Sequence, residues 1–321
     1  MILIVSHPHD PHATAVLNAL GARGTDARIL DLGRYPLHGA LEMSFGDRPR
    51  ARRLTVDGAD LDLDAVRAVW WRRPQPYGLD PAITDADSRN FTLREVHEAV
   101  EGMWLTLDAT WVNDPARDAM AARKLWQLDV ARACGLSTPG TLVTSDPAAA
   151  RAFIAAQGEG RTVYKPFQGD ERAWRETRVL RPGEVEKLDA VRHAPVIFQE
   201  YVDGDDLRVT IVGDRVFPAW IRPKPGAYAI DMRMELGEAR IEPCALPEPV
   251  EAGLRRLMAR LGIVYGAVDL KRRADGSHVF LEINPAGQFL FVEDQTGQPI
   301  AAALADALEG GAARPAAVRA A

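Results

Sequence analysis

The sequence predicts an α/β unit with a doubly wound parallel sheet at the N-terminus, followed by two α+β lobes built on antiparallel strands. Three observations carry this. Short apolar strands alternate with helical stretches through the first 114 residues, the pattern of parallel sheets with crossover helices. Beyond them, strands return on themselves around Gly213-Asp214 and Asp275-Gly276, which are hairpin punctuation. At 321 residues the chain exceeds one compact core and suits two or three units.

In the first unit the expected order is strand 2–6, helix 13–22, strand 27–31, and a hairpin that includes 54–57. A helix-like stretch at 62–66 then leads into the strand Ala68-Val69-Trp70-Trp71-Arg72-Arg73-Pro74. Helix 88–107 carries Phe91, Val96, Val100, Met103, Trp104 and Leu107 at near-helical spacing. Strand 110–113 closes the unit at Asp114-Pro115. The second unit, 115–203, opens with one helix over 116–134 that stops at Gly135. Strand 140–144, helix Pro147–Gln157, strand 161–166, strand 175–180, helix 182–191 and strand 196–201 follow. The third unit, 204–309, pairs 206–212 with 215–222 and passes through an irregular or edge segment, 223–240. Helix Glu248–Leu261, a hairpin over 267–285 and an amphipathic helix over 299–308 complete it. Residues 310–321, rich in Gly, Ala and Pro, read as a disordered tail.

Composition is that of a globular domain, with 47% hydrophobic and 26% charged residues. A net charge of −6 argues against nonspecific nucleic-acid binding, which leaves a basic footprint. No apolar run approaches a membrane span and the start lacks the basic flank of a signal peptide. With only Cys134 and Cys244, far apart in sequence, a cytoplasmic location is expected. His7, His9 and His12 share one segment, but Pro8 and Pro11 suggest an irregular loop ill-suited to a transition metal.

The hairpin at 267–285 is the most informative segment. With Asp275-Gly276 as a two-residue turn, opposed residue numbers sum to 551, placing Asp269 opposite Glu282. Cross-strand partners share a face, and Asn284 points the same way. Like charges set opposite each other are destabilising, so an intervening hard cation is expected. Two carboxylates and a carboxamide oxygen suit Mg²⁺, with Mn²⁺ an alternative. The competing reading is an amphipathic hairpin with solvated acids.

Lys165 ends the apolar strand Thr162-Val163-Tyr164-Lys165-Pro166 and either snorkels to the surface or meets an anion in a cleft. Lys124 lies in the helix beside Arg123. The segment from Val196 to Arg208 is an apolar strand that runs into an extended acidic hinge. It is either a turn between strands or a place where backbone groups read a base and Asp206 holds a ribose.

Taken in order, Lys124, Tyr164-Lys165-Pro166, Gln199-Glu200-Tyr201-Val202, Asp206-Leu207-Arg208, Asp269 and Leu281-Glu282-Ile283-Asn284-Pro285 resemble the ATP-grasp ligases, and their spacing is similar to the ribosomal-protein glutamate ligase branch. The N-terminal motifs Asp31-Leu32-Gly33-Arg34-Tyr35-Pro36, Trp70-Trp71-Arg72-Arg73-Pro74 and Trp111-Val112-Asn113-Asp114-Pro115, with Phe91 and Glu95 between them, more specifically resemble the microviridin-type maturases that make graspetides. The resemblance implies a three-lobed ATP-grasp fold with a pre-ATP-grasp domain over 1–114. It implies Mg²⁺ held by Asp269, Glu282 and Asn284, with phosphates on Lys124 and Lys165. It also implies nucleotide contacts at Gln199, Glu200, Tyr201, Val202, Asp206 and Leu281. Arg233 is the candidate facing the transferred phosphoryl group, with Arg208 and Arg222 as weaker candidates. One departure is the loop 167–174, which has one glycine where many relatives are glycine-rich, so Arg172 or Arg175 would replace backbone contacts there.

The expected activity is ATP-dependent carboxylate activation through an acylphosphate, closing side-chain esters or amides in a precursor peptide bound through a leader segment. Arg72 and Arg73 either receive its acidic core or pair with acids inside the first unit. A ligase for free amino acids or for a peptide or protein C-terminus is the alternative, and a non-catalytic nucleotide- or peptide-binding protein is a third reading. A homodimer is compatible with the sequence.

Overall fold

The structure, a computed structural model, describes residues 1–47, 51–167, 178–222 and 239–311. Strands β1 (Ile2–Val5) and β2 (Ala27–Leu30) flank helix α1 (Pro11–Gly21). A small antiparallel sheet of β3 (Gly39–Met43), β4 (Arg52–Val56) and β5 (Ala59–Asp62) comes next, then β6 (Ala68–Trp71), α2 (Ala86–Leu105) and β7 (Thr110–Val112). The order β2-β1-β6-β7 is all parallel. Every residue of β1 is fully buried, as a strand covered on both faces must be.

Three helices begin at an Asp-Pro pair. Asp10, Asp114 and Asp146 accept hydrogen bonds from the first turns of α1, α3 (Pro115–Ala121) and α5 (Pro147–Gln157), and the proline occupies the first helical position. A proline there loses no hydrogen bond, because that N–H is unpaired in any helix. Pro11 therefore starts α1 instead of prolonging an irregular loop. This corrects the expected 13–22 boundary and places His12 inside a helix.

The single helix expected over 116–134 is two helices. α3 ends at Ala121, and α4 (Lys124–Ala133) restarts after an extended Arg123. Strands β8 (Thr141–Thr144), β9 (Thr162–Lys165), β10 (Arg178–Val179) and β11 (Val196–Glu200) form an antiparallel sheet in the order β10-β9-β11-β8. It packs on α5 and on a 3₁₀ segment, Pro182–His193, where an α-helix was expected. The third sheet, β14-β13-β12-β15-β16, joins β12 (Asp205–Val212), β13 (Arg215–Arg222), β14 (Arg240–Pro243), β15 (Tyr265–Arg272) and β16 (His278–Asn284). Strand β14 begins at Arg240, the last residue of the expected irregular or edge segment, helix α7 (Leu290–Thr296) lies in a stretch for which no element was expected, and α8 (Ile300–Asp306) follows. Of the expected irregular segment, 223–238 lies outside the described residues, as do 168–177 and 312–321, which include most of the atypical loop and nearly all of the predicted tail.

Two apolar cores meet on the third sheet. Leu207, Val209, Val268, Leu270, Phe280 and Ile283 bury one face against α6 (Glu248–Leu261), α3 and α4. The two helices that replace the single one expected to open the central lobe thus bury their apolar side against the C-terminal sheet. A second core runs from β1, β6 and α1 into α7 and α8, so both ends of the described chain share one interior.

Candidate active site

The face of the third sheet turned away from α6 carries polar side chains. Register pairs Arg208 with Asp269, and Asp269 with Glu282. The expected Asp269–Glu282 opposition is present, but it arises differently. The turn is three residues long: Arg273 N–H bonds the Ser277 carbonyl, and pairs such as Lys271–Val279 sum to 550. A bulge between Asp269 and Leu270 then shifts the register so that Asp269 meets Glu282. The extra residue is Leu281. Phe280 and Ile283 both enter the α6 core, whereas Leu281 and Glu282 remain half-buried between them. A bulge sets two residues against one, which offsets the longer turn.

Across from this face, Lys165 projects from β9 on the side opposite Tyr164, which packs toward α5 with Phe198. Lys165 is buried, and its Nζ lies 3.6 Å from Glu282 Oε2. Lys124, the first residue of α4, brings its Nζ within 2.9 Å of the same oxygen. Arg208, also buried, reaches Asp269 Oδ1 at 2.9 Å and lies over the Phe291 ring. Three cations thus converge on two carboxylates. The repulsion that called for an intervening cation is already relieved by side chains, so repulsion alone does not establish a metal. The surplus of positive charge instead marks a place for a polyanion. Burial pushes the Lys165 amine below its ordinary value, with Glu282 opposing the shift and Lys124 adding to it.

The break before Lys124 is held by a residue the sequence reading missed. Buried Gln127 donates to the carbonyls of Ala121 (2.6 Å) and Ile283 (2.7 Å) and accepts the Ile283 N–H (3.1 Å). It caps the end of α3 and pairs with the outer edge of β16. The signal was present: residues 127, 130, 131 and 134 form the buried stripe of this segment, and a glutamine within such a stripe needs partners.

At the hinge after β11, Glu200 accepts from Gly140 N–H (3.0 Å) and from Arg273 (2.8 Å). The N–H groups of Glu200 and Tyr201 donate to the carbonyls of Gly140 and Arg161. These two donors are therefore spent within the protein, so the expected free N–H groups can begin only at Val202. Arg161 also lies over the Tyr201 ring and donates to its carbonyl. Gln199 bonds Thr141 Oγ1 on the inner face of the sheet. Asp206 is ion-paired with buried Lys271 at 2.8 Å. Lys271 was also missed, although alternation places it on the face of Asp269.

Other expectations are relocated. Arg222 shares the parity of Trp220, which packs toward the α6 core; it stacks on that ring and pairs with Glu242 at 3.0 Å. It therefore lies on the face opposite Arg208 and does not join the site. Arg72 is fully buried, so it is no substrate groove residue. Its Nε lies 3.1 Å from Asp10, and its Nη1 donates to the carbonyls of Ala286 and Gly287. Arg73 is half-buried beside it. Arg233, Arg172 and Arg175 lie outside the described residues. Among the described residues no cluster of three His, Cys, Asp or Glu side chains is placed to hold a metal, which includes the histidine segment. His12 is buried, and its Nδ1 faces the N–H groups of Phe289 and Leu290. Burial, with Arg72 beside it, lowers His12 to about 4.

The turn after Asn284 is held from several sides. Asn284 is exposed, and its Oδ1 accepts the Ala286 N–H at 2.9 Å. Tyr265 donates to the Gly287 carbonyl at 2.7 Å, and burial raises its hydroxyl to about 12, so it remains a donor. Buried Asn113, at the end of β7, accepts from Val264 and Tyr265 N–H and donates to the Tyr265 and Pro285 carbonyls. Asn113 lies in the motif Trp111-Val112-Asn113-Asp114-Pro115, but no sequence signal assigned it this role.

The model for the MvdD pre-ATP grasp domain matches residues 1–119. Over 97% of this chain and all of the other, the structure is similar to macrocyclase MdnC of Microcystis aeruginosa MRC, solved with precursor peptide MdnA, at 30% identity and a TM-score of 0.86. A RiPP-associated ATP-grasp ligase of Chryseobacterium gregarium, solved with ADP and a leader and core peptide, matches 98% of each chain at 26% identity and a TM-score of 0.87. A probable alpha-L-glutamate ligase 2 of Shewanella amazonensis (strain ATCC BAA-1098 / SB2B) is 28% identical over 61% of this chain and 66% of its own length. The chain spans less than two thirds of the curated relatives it matches. The fold is that of an ATP-grasp ligase. Within that class, the chain belongs to the microviridin-type branch of peptide maturases.

Proposed function

We propose that this protein activates side-chain carboxyl groups of a precursor peptide with ATP and closes them onto hydroxyl or amine side chains as esters or amides. The observation that carries this is the convergence of Lys124, Lys165 and Arg208 on Asp269 and Glu282, where two sheets face each other. A carboxylate oxygen attacks the γ-phosphorus and ADP leaves; a hydroxyl or amine then attacks the acyl carbon and phosphate leaves. The net change is one water lost per ring. Activation supplies the driving force, so the protein's share is positioning and charge.

The donor set fits a hard divalent ion: Asp269 and Glu282 offer carboxylates on one face, and Asn284 adds a carboxamide oxygen at the exposed end. These three would hold Mg²⁺, or Mn²⁺ in its place, and the ion would neutralise charge on the phosphates. Lys124 and Lys165 would leave Glu282 for the phosphates, while Arg208 would stay with Asp269. The hinge from Gln199 to Val202, Asp206 and Leu281 would hold the nucleoside, and Arg233 would face the transferred phosphoryl group. We divide the chain into lobes at 114/115 and 203/204 on the same reading, with a leader segment of the peptide as the expected partner. The solved complexes of MdnC with a precursor peptide and of the Chryseobacterium ligase with leader and core peptides support a peptide substrate.

The test is incubation with ATP, Mg²⁺ and candidate precursors rich in Thr, Glu, Asp and Lys, read by mass spectrometry as loss of water. Glu282→Gln is expected to abolish that loss with the fold intact. Full activity in that variant would remove the metal assignment, and mass gain from added glutamate instead of water loss would redirect the reading to an amino-acid ligase.

A further inference from the structure

Burying a guanidinium is costly unless its charge and hydrogen bonds are met. Arg72 is fully buried, yet among the described residues its one ion pair is to Asp10, at 3.1 Å, with the Trp70 ring beneath the guanidinium, and Nη2 has no hydrogen-bond partner among them. Its remaining bonds go to the consecutive carbonyls of Ala286 and Gly287, on a turn more than 200 residues away in sequence. An arginine so placed is explained by what it holds, since an apolar side chain would fill the space at lower cost.

What it holds lies next to a candidate metal ligand. The turn runs from Asn284 to Gly287. Asn284 accepts from Ala286 N–H, and Gly287 N–H donates to the Asn284 carbonyl at 3.2 Å. A Cβ on Gly287 would collide with Ala267, the cross-strand partner of Asn284. Neither carbonyl held by Arg72 belongs to a sheet ladder. Arg72 binds both, and the Tyr265 hydroxyl reinforces the second. Ala286 is thus gripped at its carbonyl by Arg72, and the N–H of the same residue, one peptide group earlier, donates to the Asn284 carboxamide. In turn, Asp10 orients Arg72 while accepting Ser6 Oγ and His12 N–H, each at 2.9 Å.

We propose that Arg72 is a positioning residue for the cation end of the active site: from the N-terminal unit it fixes the turn that presents the Asn284 carboxamide. This rests on the metal reading given above, and the test separates the two. Partners that orient a metal ligand typically cost ten- to a hundred-fold in metal affinity when lost. Mn²⁺ binding to the ADP complex, followed by electron paramagnetic resonance, is to be compared among wild type, Arg72→Lys, Tyr265→Phe, Asn284→Ala and Val16→Ala. Lysine retains the charge beside Asp10 but has no fork to span two carbonyls. Val16, in the core on α1, controls for destabilisation alone. Arg72→Lys is expected to weaken Mn²⁺ binding about ten-fold or more, with ADP affinity in EDTA unchanged and Val16→Ala without effect on the metal. Tyr265→Phe, which removes one hydroxyl, is expected to weaken it less and carries the test if Arg72→Lys does not fold. Metal affinity kept in both variants while Asn284→Ala loses it would overturn the role of Arg72 alone. Metal affinity unchanged in Asn284→Ala would overturn the metal reading and this inference with it. Equal loss in Val16→Ala would reduce Arg72 to a stabilising contact.

Discussion

Lys165 shows how one side chain records a function in its energetics. Its strand is apolar and its amine is buried, so the charged form is disfavoured by lost hydration and by Lys124. The nearest acid, Glu282, is shared with Lys124, which lies closer. Such a lysine adds little to folding, because its desolvation cost offsets its ion pair. Lys165→Met is therefore expected to leave stability unchanged or raise it by about 1 kcal/mol, measured by urea unfolding. Nucleotide affinity, measured calorimetrically, should fall at least ten-fold. A large loss of stability with ATP affinity retained would show the lysine to be structural.

At the scale of elements, the legible parts were those written in local patterns. Helices Pro147–Gln157 and Glu248–Leu261 lie at the boundaries that periodicity and flanking residues gave. The Asp269–Glu282 pairing also followed from alternation, although the three-residue turn and the bulge at Leu281 are two offsets that cancel. Neither offset has a local signature, since both depend on what the far side of the strand packs against. The break between α3 and α4 was illegible for the same reason: residues 121–124 contain neither Gly nor Pro, and the interruption is stabilised by Gln127 binding β16, more than 150 residues away. β16 is an edge strand, and an uncovered edge invites mispairing; Gln127 and the Ser137 carbonyl, which accepts Phe280 N–H, cover it. Gln127→Leu keeps the volume but orphans the groups it served. At about 1–3 kcal/mol for a buried unsatisfied group, a loss of roughly 2–5 kcal/mol in unfolding free energy is expected. Weaker nucleotide binding should accompany it, because Lys124 begins α4. A loss under 1 kcal/mol would mean that the break has another cause.

For the whole molecule, the candidate site draws its residues from more than one sheet. Lys124 comes from a helix packed on the C-terminal sheet, Lys165 from the central sheet, and the turn beyond Asn284 is tied to the N-terminal unit through Arg72, Asn113 and His12. The ties are polar and buried, which makes the join between the first and last units sensitive to acid. His12 must stay neutral to accept from Phe289 and Leu290, and its value drops from 6.5 unfolded to about 4 folded. Between those values the unfolded chain takes up a proton that the folded chain refuses, so stability is complete above about pH 6.5 and is lost as pH falls through 4. From pH 7.5 to 4.5 this amounts to about 2–3 kcal/mol. Asp118, raised to about 6 by burial, contributes with opposite sign, losing stability as pH rises from about 4 to 6. Comparing wild type with His12→Asn at both pH values cancels Asp118, which is present in each protein. Asparagine keeps an acceptor without titrating, so the variant's deficit at pH 7.5 should shrink by about 2–3 kcal/mol at pH 4.5. A deficit that is constant with pH would mean that His12 is solvated enough to protonate in place, and that the join between first and last units does not depend on its neutral form.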